Sequence, residues 1–202
     1  MSEEKRDGYE QADWQKHYDS NDMGWDLGQV SPPFVRLWEE KSLPPGKWII
    51  PGCGRGHEVV YFAERGCEVT GVDFAPGAVA LLRQSLTAKK LNATVLHSDF
   101  FHLDESHNQA YDGLLEQTFF CAIRPDQRED YVATAHRILK PGGWLAALFY
   151  ATGEAGGPPF NTSDEDVKNH FSGKFEILRL EKCAFSAEQR RDKEWLALMR
   201  KK

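Results

Sequence analysis
The chain has 202 residues, which at about 150 residues per domain leaves room for one elaborated domain and none for two full ones. Acidic residues outnumber Lys and Arg by 31 to 25 for a formal charge of −6, and 41% of the residues are apolar, so the chain can fill a core and collagen-like or wholly disordered readings are excluded. Its basic residues cluster only at Arg200-Lys201-Lys202, so a phosphate backbone would be repelled and no nucleic-acid partner is expected.

The opening stretch, Met1 to Asp7, carries both signs of charge and no apolar segment follows it. No secretory signal is expected, and the cytoplasm is the expected location. Three of the six tryptophans, Trp14, Trp25 and Trp38, fall in the first 38 residues, which a disposable polar leader would not carry. Residues 33–41 read as a helix with Phe34, Leu37 and Trp38 toward the core. From residue 47 short apolar runs alternate with segments of helical period, the pattern of a βαβ array with a mainly parallel sheet. Strands are expected at 47–50, 68–73, 93–97, 111–115 and 144–150, with helices at 57–65, from Pro76, at 125–139 and from Ser163. Pro125 suits a first helical position, and Ser163-Asp164-Glu165-Asp166 supplies a cap with negative charge beside it. Lys140-Pro141-Gly142-Gly143 reads as a reverse turn, and 153–159 as a Gly/Pro loop. Residues 174–183 and 193–199, around the charged turn 188–192, read as an antiparallel hairpin. No run approaches the roughly 18 to 20 apolar residues of a membrane span.

The segment Pro51-Gly52-Cys53-Gly54-Arg55-Gly56-His57 joins an apolar strand to a helix. Glycines there let backbone approach a ligand and leave helix N-terminal amides aimed at it. Seventeen residues on, Asp73 ends the second strand, where a carboxylate accepts hydrogen bonds from ribose hydroxyls. Glycine turn plus acid is a nucleoside-binding signal. The spacing G-x-G-x-G lacks the third glycine of the dinucleotide fingerprint, and the length leaves little room for a substrate domain, so an NAD-dependent oxidoreductase fits less well. A non-catalytic nucleoside sensor is the third alternative.

The Lys140–Gly143 turn before the fifth strand and the closing antiparallel pair resemble the class I S-adenosylmethionine methyltransferase fold. That resemblance implies an α/β, Rossmann-like architecture with seven strands in the order 3-2-1-4-5-7-6 and an antiparallel last strand. It implies that Gly52, Gly54 and Gly56 cradle the donor, that Asp73 holds the ribose, and that Asp99 and Phe100 bracket adenine. Asp99 has the alternative reading of a turn cap. Glu116, ending the fourth strand, is implied to face the methionine part or the acceptor, with Gln117 beside it. Glu116 is therefore the candidate catalytic residue, although a plain surface carboxylate is the other reading.

A narrower resemblance rests on Ile50-Pro51-Gly52-Cys53-Gly54, with proline where most methyltransferases carry an acid, and on Gly56-His57-Glu58, Gly24-Trp25-Asp26-Leu27-Gly28, residues 119–125 and Gly156-Gly157-Pro158-Pro159-Phe160. Together they resemble the thiopurine S-methyltransferase family, nearest to its halide and thiol methyltransferase branch. Membership implies methyl transfer from S-adenosyl-L-methionine to a small soft nucleophile such as a thiol, sulfide, thiopurine-like thiol or halide, by in-line displacement, leaving S-adenosyl-L-homocysteine. It implies that residues 1–42 form an N-terminal helical lid packed on the catalytic part, 43–202, with Trp14 and Trp25 over the donor, where aromatic faces favour a sulfonium cation. Phe119, Arg124, Pro158 and Phe160 are the expected acceptor pocket. Where the plant-type enzymes carry Asp-Tyr after the fourth strand, this chain has Glu116-Gln117. A monomer is expected.

Arg124 or Arg55 could supply a positive field that lowers a thiol's pKa. Cys53 and His57 could pair as nucleophile and base, but Cys53 lies in the turn where donor contacts belong, and Cys121 reads as a small buried hydrophobe. The four scattered cysteines form no CxxC pair and are expected as free thiols, while His97, His102 and His107 lack metal-ligand spacing, so no metal is expected.

Overall fold
The computed structural model describes residues 10–202; the charged stretch 1–7 lies outside the described residues. Two helices come first, α1 (Gln11–Ser20) and α2 (Pro32–Glu39), and the alternating array follows: β1 (Lys47–Pro51), α3 (His57–Ala63), β2 (Glu68–Asp73), α4 (Pro76–Lys89), β3 (Thr94–His97), β4 (Tyr111–Gln117), α5 (Arg128–Ile138), β5 (Leu139–Tyr150), α6 (Asp164–Phe171), β6 (Phe175–Lys182) and β7 (Glu194–Lys201). The seven strands form one sheet in the order 3-2-1-4-5-7-6. Every pair from β3 to β5 is parallel, and β7 runs antiparallel to both of its neighbours, as expected from the sequence.

Because successive strand residues point to opposite faces, the sheet sorts its side chains into two cores. Ile49, Leu114, Leu145, Ala147, Phe149 and Met199 pack with Tyr131 of α5 and Phe171 of α6. Trp48, Ile50, Leu115, Ala146, Leu148 and Leu198 pack with Phe34 of α2, Phe62 of α3 and Leu82 of α4. Trp38 joins the second core, edge-on to Phe62 at 5.4 Å between ring centres. Continuous apolar strands are what a sheet covered by helices on both faces requires.

Two stretches depart from the sequence reading. Lys140–Gly143 is extended backbone within β5 rather than a free turn; the register against β4 shifts between Tyr111 and Gly113, and Gly142 takes φ +69° to absorb it. The helix expected from Pro125 opens as a short 3-10 turn, Pro125–Gln127, before α5 begins at Arg128. Proline supplies the first-turn geometry, but the orphan amides are met locally: Gln127 Oε1 accepts from the Arg124 amide at 3.2 Å.

The first helix docks on the sheet's ligand edge. Gln15 Oε1 accepts from the amide of Gly77 at 2.8 Å, and Gln11 Nε2 donates to the carbonyl of Phe74. α4 has no side-chain cap of its own, so α1 satisfies one of its orphan amides from outside. Among the described residues no helix is long and apolar enough to cross a membrane.

Candidate active site
A cavity of about 600 Å³ lies over the carboxyl ends of the strands, where open α/β sheets place ligands. Its floor is the turn after β1. Gly52 takes φ +55°, and a Cβ there would run into the Phe119 ring, so only glycine lets these two segments meet. Gly56 is left-handed at φ +76° and faces Leu82 in the same way, drawing α3 against α4.

The topology divides the cavity. On the β2–β3 side lie Asp73, Phe74, Ser98, Asp99, Phe100 and Phe101; on the β4–β5–β7 side lie Thr118, Phe119, Ile123, Arg124, Tyr150, Pro158 and Arg190. Trp14, His17 and Tyr18 from α1, with Trp25, line it from the N-terminal segment. The Trp25 ring is edge-on to Trp14 at 5.4 Å, to His17 at 5.2 Å and to Tyr18 at 6.0 Å, T-shaped geometry that matches ring quadrupoles.

Asp73 is the most deeply placed acid of the lining. Its Oδ2 accepts from the Gly54 amide and its Oδ1 from the Ala75 amide, both at 2.9 Å. Burial raises its carboxyl above the ordinary range, opposed by the amides of Ala75, Gly54 and Phe74. Asp99 caps the short helical turn 100–102 through the Phe101 amide at 2.9 Å while also lining the cavity. The turn-cap reading of that residue therefore holds, and the same residue also lines the cavity.

Glu116 is placed differently from the expectation that it faces donor or acceptor. It is 1% exposed and absent from the cavity lining. Its Oε1 accepts from the amides of Phe119 and Phe120 at 2.9 and 2.7 Å, and its Oε2 from the Tyr131 hydroxyl at 2.8 Å. Burial pushes its pKa up to about 7, against the pull of those donors. The carboxylate braces a turn in which Thr118 sits at φ +60°, an uncommon conformation for a β-branched residue that needs support from its surroundings. Gln117 is also outside the lining, although its Oε1 accepts from Oγ1 of the lining residue Thr118 at 3.1 Å. Gly54, Gly56 and Phe160 are likewise outside the lining, Phe160 being tied by its amide to the Cys121 carbonyl at 2.7 Å.

All four cysteines are free and buried. Burial drives the Cys53 thiol well above its ordinary value and the Cys121 thiol up to about 12, so neither is a thiolate near neutrality. Among the described residues no group of acids, histidines and cysteines could hold a metal ion.

The thiopurine S-methyltransferase family matches residues 9–201, nearly the whole chain. This chain belongs to that family. Within it, the chain is similar to thiocyanate methyltransferase 1 of Brassica oleracea, 31% identical over 198 residues that cover 95% of this chain and 86% of the relative. It is also similar to a thiopurine S-methyltransferase of Pseudomonas paraeruginosa, 29% identical over 85% of this chain and 87% of the relative. The fold is shared with a 1,6-didemethyltoxoflavin-N1-methyltransferase of Burkholderia thailandensis, solved with S-adenosylhomocysteine, at a TM-score of 0.75 and 19% identity over 95% of this chain and 86% of that one. A structure describing conversion of a disulfide bond into a thioacetal group during echinomycin biosynthesis gives a TM-score of 0.80 at 20% identity, over 93% and 91% of the two chains. The protein is therefore an S-methyltransferase that uses S-adenosyl-L-methionine. Family membership leaves the oxidoreductase alternative without support.

Several residues of the methyltransferase cavity carried no signal in the sequence. Arg190, in the turn between β6 and β7, is 5% exposed, donates to the Trp25 carbonyl and lies 5.6 Å from the Tyr150 ring centre. It reads in sequence as one more charge in a solvated hairpin turn. Tyr18 is half-buried, its hydroxyl 3.4 Å from where a Cβ on Gly54 would be, and desolvation together with the nearby Asp73 pushes that hydroxyl far above its ordinary range. Only the helical phase it shares with Trp14 could have pointed to it.

Proposed function
We propose that the β2–β3 side of the cavity holds the adenosine of S-adenosyl-L-methionine and that the β4–β5–β7 side takes a small soft nucleophile: a thiol, sulfide, thiopurine-type thiol or halide. The observation that carries this reading is the division of one cavity, on opposite sides of the glycine turn, into an end bearing Asp73 and Asp99 and an end bearing Arg124 and Arg190, with Trp14 and Trp25 also in its lining. Asp73 accepts from the Gly54 amide on one oxygen and the Ala75 amide on the other, and a carboxylate with about four acceptor sites keeps capacity for ribose hydroxyls. Val72, Phe74 and Phe100 give the base an apolar slot, with Asp99 at its edge.

When bound, S-adenosyl-L-methionine supplies an electrophilic methyl on a sulfonium. Transfer forms a bond from the acceptor sulfur or halide to the methyl carbon as the carbon–sulfonium bond breaks, its electron pair staying on the departing sulfur. A thiol acceptor gives up its proton before attack, to solvent or to His17, an imidazole in the lining of the same cavity. Arg190 and Arg124 bring positive charge to that side, each partly offset by a paired acid, Glu194 at 3.4 Å and Asp126 at 2.9 Å. The role of the protein is then alignment and water exclusion, which are worth most when the acceptor arrives as its own nucleophile. Trp14, Trp25 and Tyr18 place aromatic faces where the sulfonium charge would lie, at about 0.5 to 2 kcal/mol each.

The test is a labelled-donor panel of hydrosulfide, methanethiol, thiocyanate, iodide and 6-mercaptopurine. Methylation of one or more is expected, with the acceptor product and S-adenosylhomocysteine formed in equal amounts. Binding of S-adenosylhomocysteine with no product from any acceptor would overturn this reading of the acceptor class.

A further inference from the structure
Trp25 lies in a segment without secondary structure, between α1 and α2. Its neighbour Asp26 has the more unusual surroundings. Asp26 Oδ1 lies 2.8 Å from Nε2 of His57, the first residue of α3, and accepts from the Gly28 amide at 2.9 Å. Its Oδ2 accepts from Arg55 Nη1 at 3.1 Å. The carboxylate is 12% exposed, against 43% for Arg55 and 28% for His57. Burial works to raise its carboxyl, and the Gly28 amide, His57 and Arg55 together outweigh that and hold it below the ordinary range.

Arg55 and His57 belong to the same turn as Gly52 and Gly54, so this bridge joins the segment carrying Trp25 directly to the floor of the donor site. The indole follows from it: Trp25 Nε1 lies 4.0 Å from where a Cβ on Gly54 would be. On the far side the Trp25 carbonyl is held by Arg190. The ring packs edge-on against Trp14, His17 and Tyr18, and because no helix or strand fixes the backbone here, the two charged contacts flanking it hold the segment in place.

We infer that Asp26 is a positioning residue: by bridging Arg55 and His57 it fixes Trp25 over the donor end of the cavity, and it acts on methyl transfer only through that indole. The inference rests on the proposed reading that Trp25 covers the donor. A ligand that needs Trp25 in place binds more weakly in proportion to the time the indole spends elsewhere. Losing the bridge should therefore cost donor affinity, and the cost should vanish when the indole is already gone.

The experiment measures S-adenosylhomocysteine affinity by calorimetry for wild type, Asp26→Asn, Trp25→Ala and the double variant, with hydrogen exchange over residues 22–30 in parallel. Asp26→Asn is expected to weaken binding by about tenfold, as a site competent about a tenth of the time would. The double variant should match Trp25→Ala alone, and exchange at Gly28 and its neighbours should quicken in Asp26→Asn. Unchanged affinity and exchange in Asp26→Asn would overturn the inference. Additive losses in the double variant would also overturn it, because a general structural role costs the same with or without the indole. If exchange quickens and Asp26→Asn loses affinity while Trp25→Ala does not, the donor-cover reading fails and Asp26 is left holding the segment alone.

Discussion

The Tyr131 hydroxyl of α5 donates to the Glu116 carboxylate of β4 at 2.8 Å, with both side chains fully or almost fully buried. An acid that ends a strand at the ligand edge of the sheet is thereby turned inward, away from the cavity it was expected to face. Its two backbone partners, Phe119 and Phe120, belong to the turn that carries Thr118 and Phe119 into the lining. The residue shapes the β4 side of the cavity without being part of its lining.

That placement sets a pH dependence of stability. The folded carboxyl titrates at about 7, above its ordinary 4.5, so the folded state keeps the proton longer than the unfolded one. The stabilisation is complete below pH 4.5 and is lost as pH rises through 7, amounting to about 3 kcal/mol at about 1.4 kcal/mol per pH unit. Glu116→Gln can accept from both amides with its oxygen and donate to Tyr131 with its nitrogen. Urea titrations from pH 5 to 8 should show the variant gaining on wild type as pH rises, and parallel curves would refute the assignment.

Asp73→Asn should raise the Kd for S-adenosylhomocysteine by at least about tenfold, since a hydrogen bond to a charged group contributes about 1.5–3 kcal/mol. The variant also weakens the holds on Gly54 and Ala75, so a lowered melting temperature is expected beside it. A wild-type Kd would remove Asp73 from the donor site.

Gly52→Ala places a Cβ against the Phe119 ring at a backbone φ of +55°. Left-handed conformation and overpacking together should cost about 2–4 kcal/mol. Chemical denaturation measures the loss, and Phe119→Ala in the same background should recover part of it.

Arg190→Met keeps the bulk of the side chain and removes its charge, which also leaves the buried Glu194, its partner at 3.4 Å, unpaired, so a lowered melting temperature is expected beside the kinetic effect. The KM for an anionic acceptor should rise by about tenfold or more, as expected for loss of a charged hydrogen bond or ion contact in a buried site. Donor affinity should fall as well, because the same guanidinium holds the Trp25 carbonyl. Arg124→Met is the comparison: its guanidinium is paired with Asp126 at 2.9 Å and, among the described residues, makes no hydrogen bond or ion pair to the N-terminal segment, so it should change acceptor KM alone.

The succession of strands, the turn Pro51–His57 and the acid at Asp73 were legible in the sequence because each is a local pattern: an apolar run, a glycine spacing, a carboxylate at a strand end. The motifs around Trp25 and Pro158 pointed to the family for the same reason. Period and spacing show that Glu116 ends a strand and that Arg190 lies in a turn. They do not show that Tyr131, fifteen residues on, turns the first inward, or that the β6–β7 hairpin folds the second back against Trp25, 165 positions away in the chain. Whether a charge faces solvent, cavity or core depends on which distant groups can satisfy it. Only the packed fold decides that.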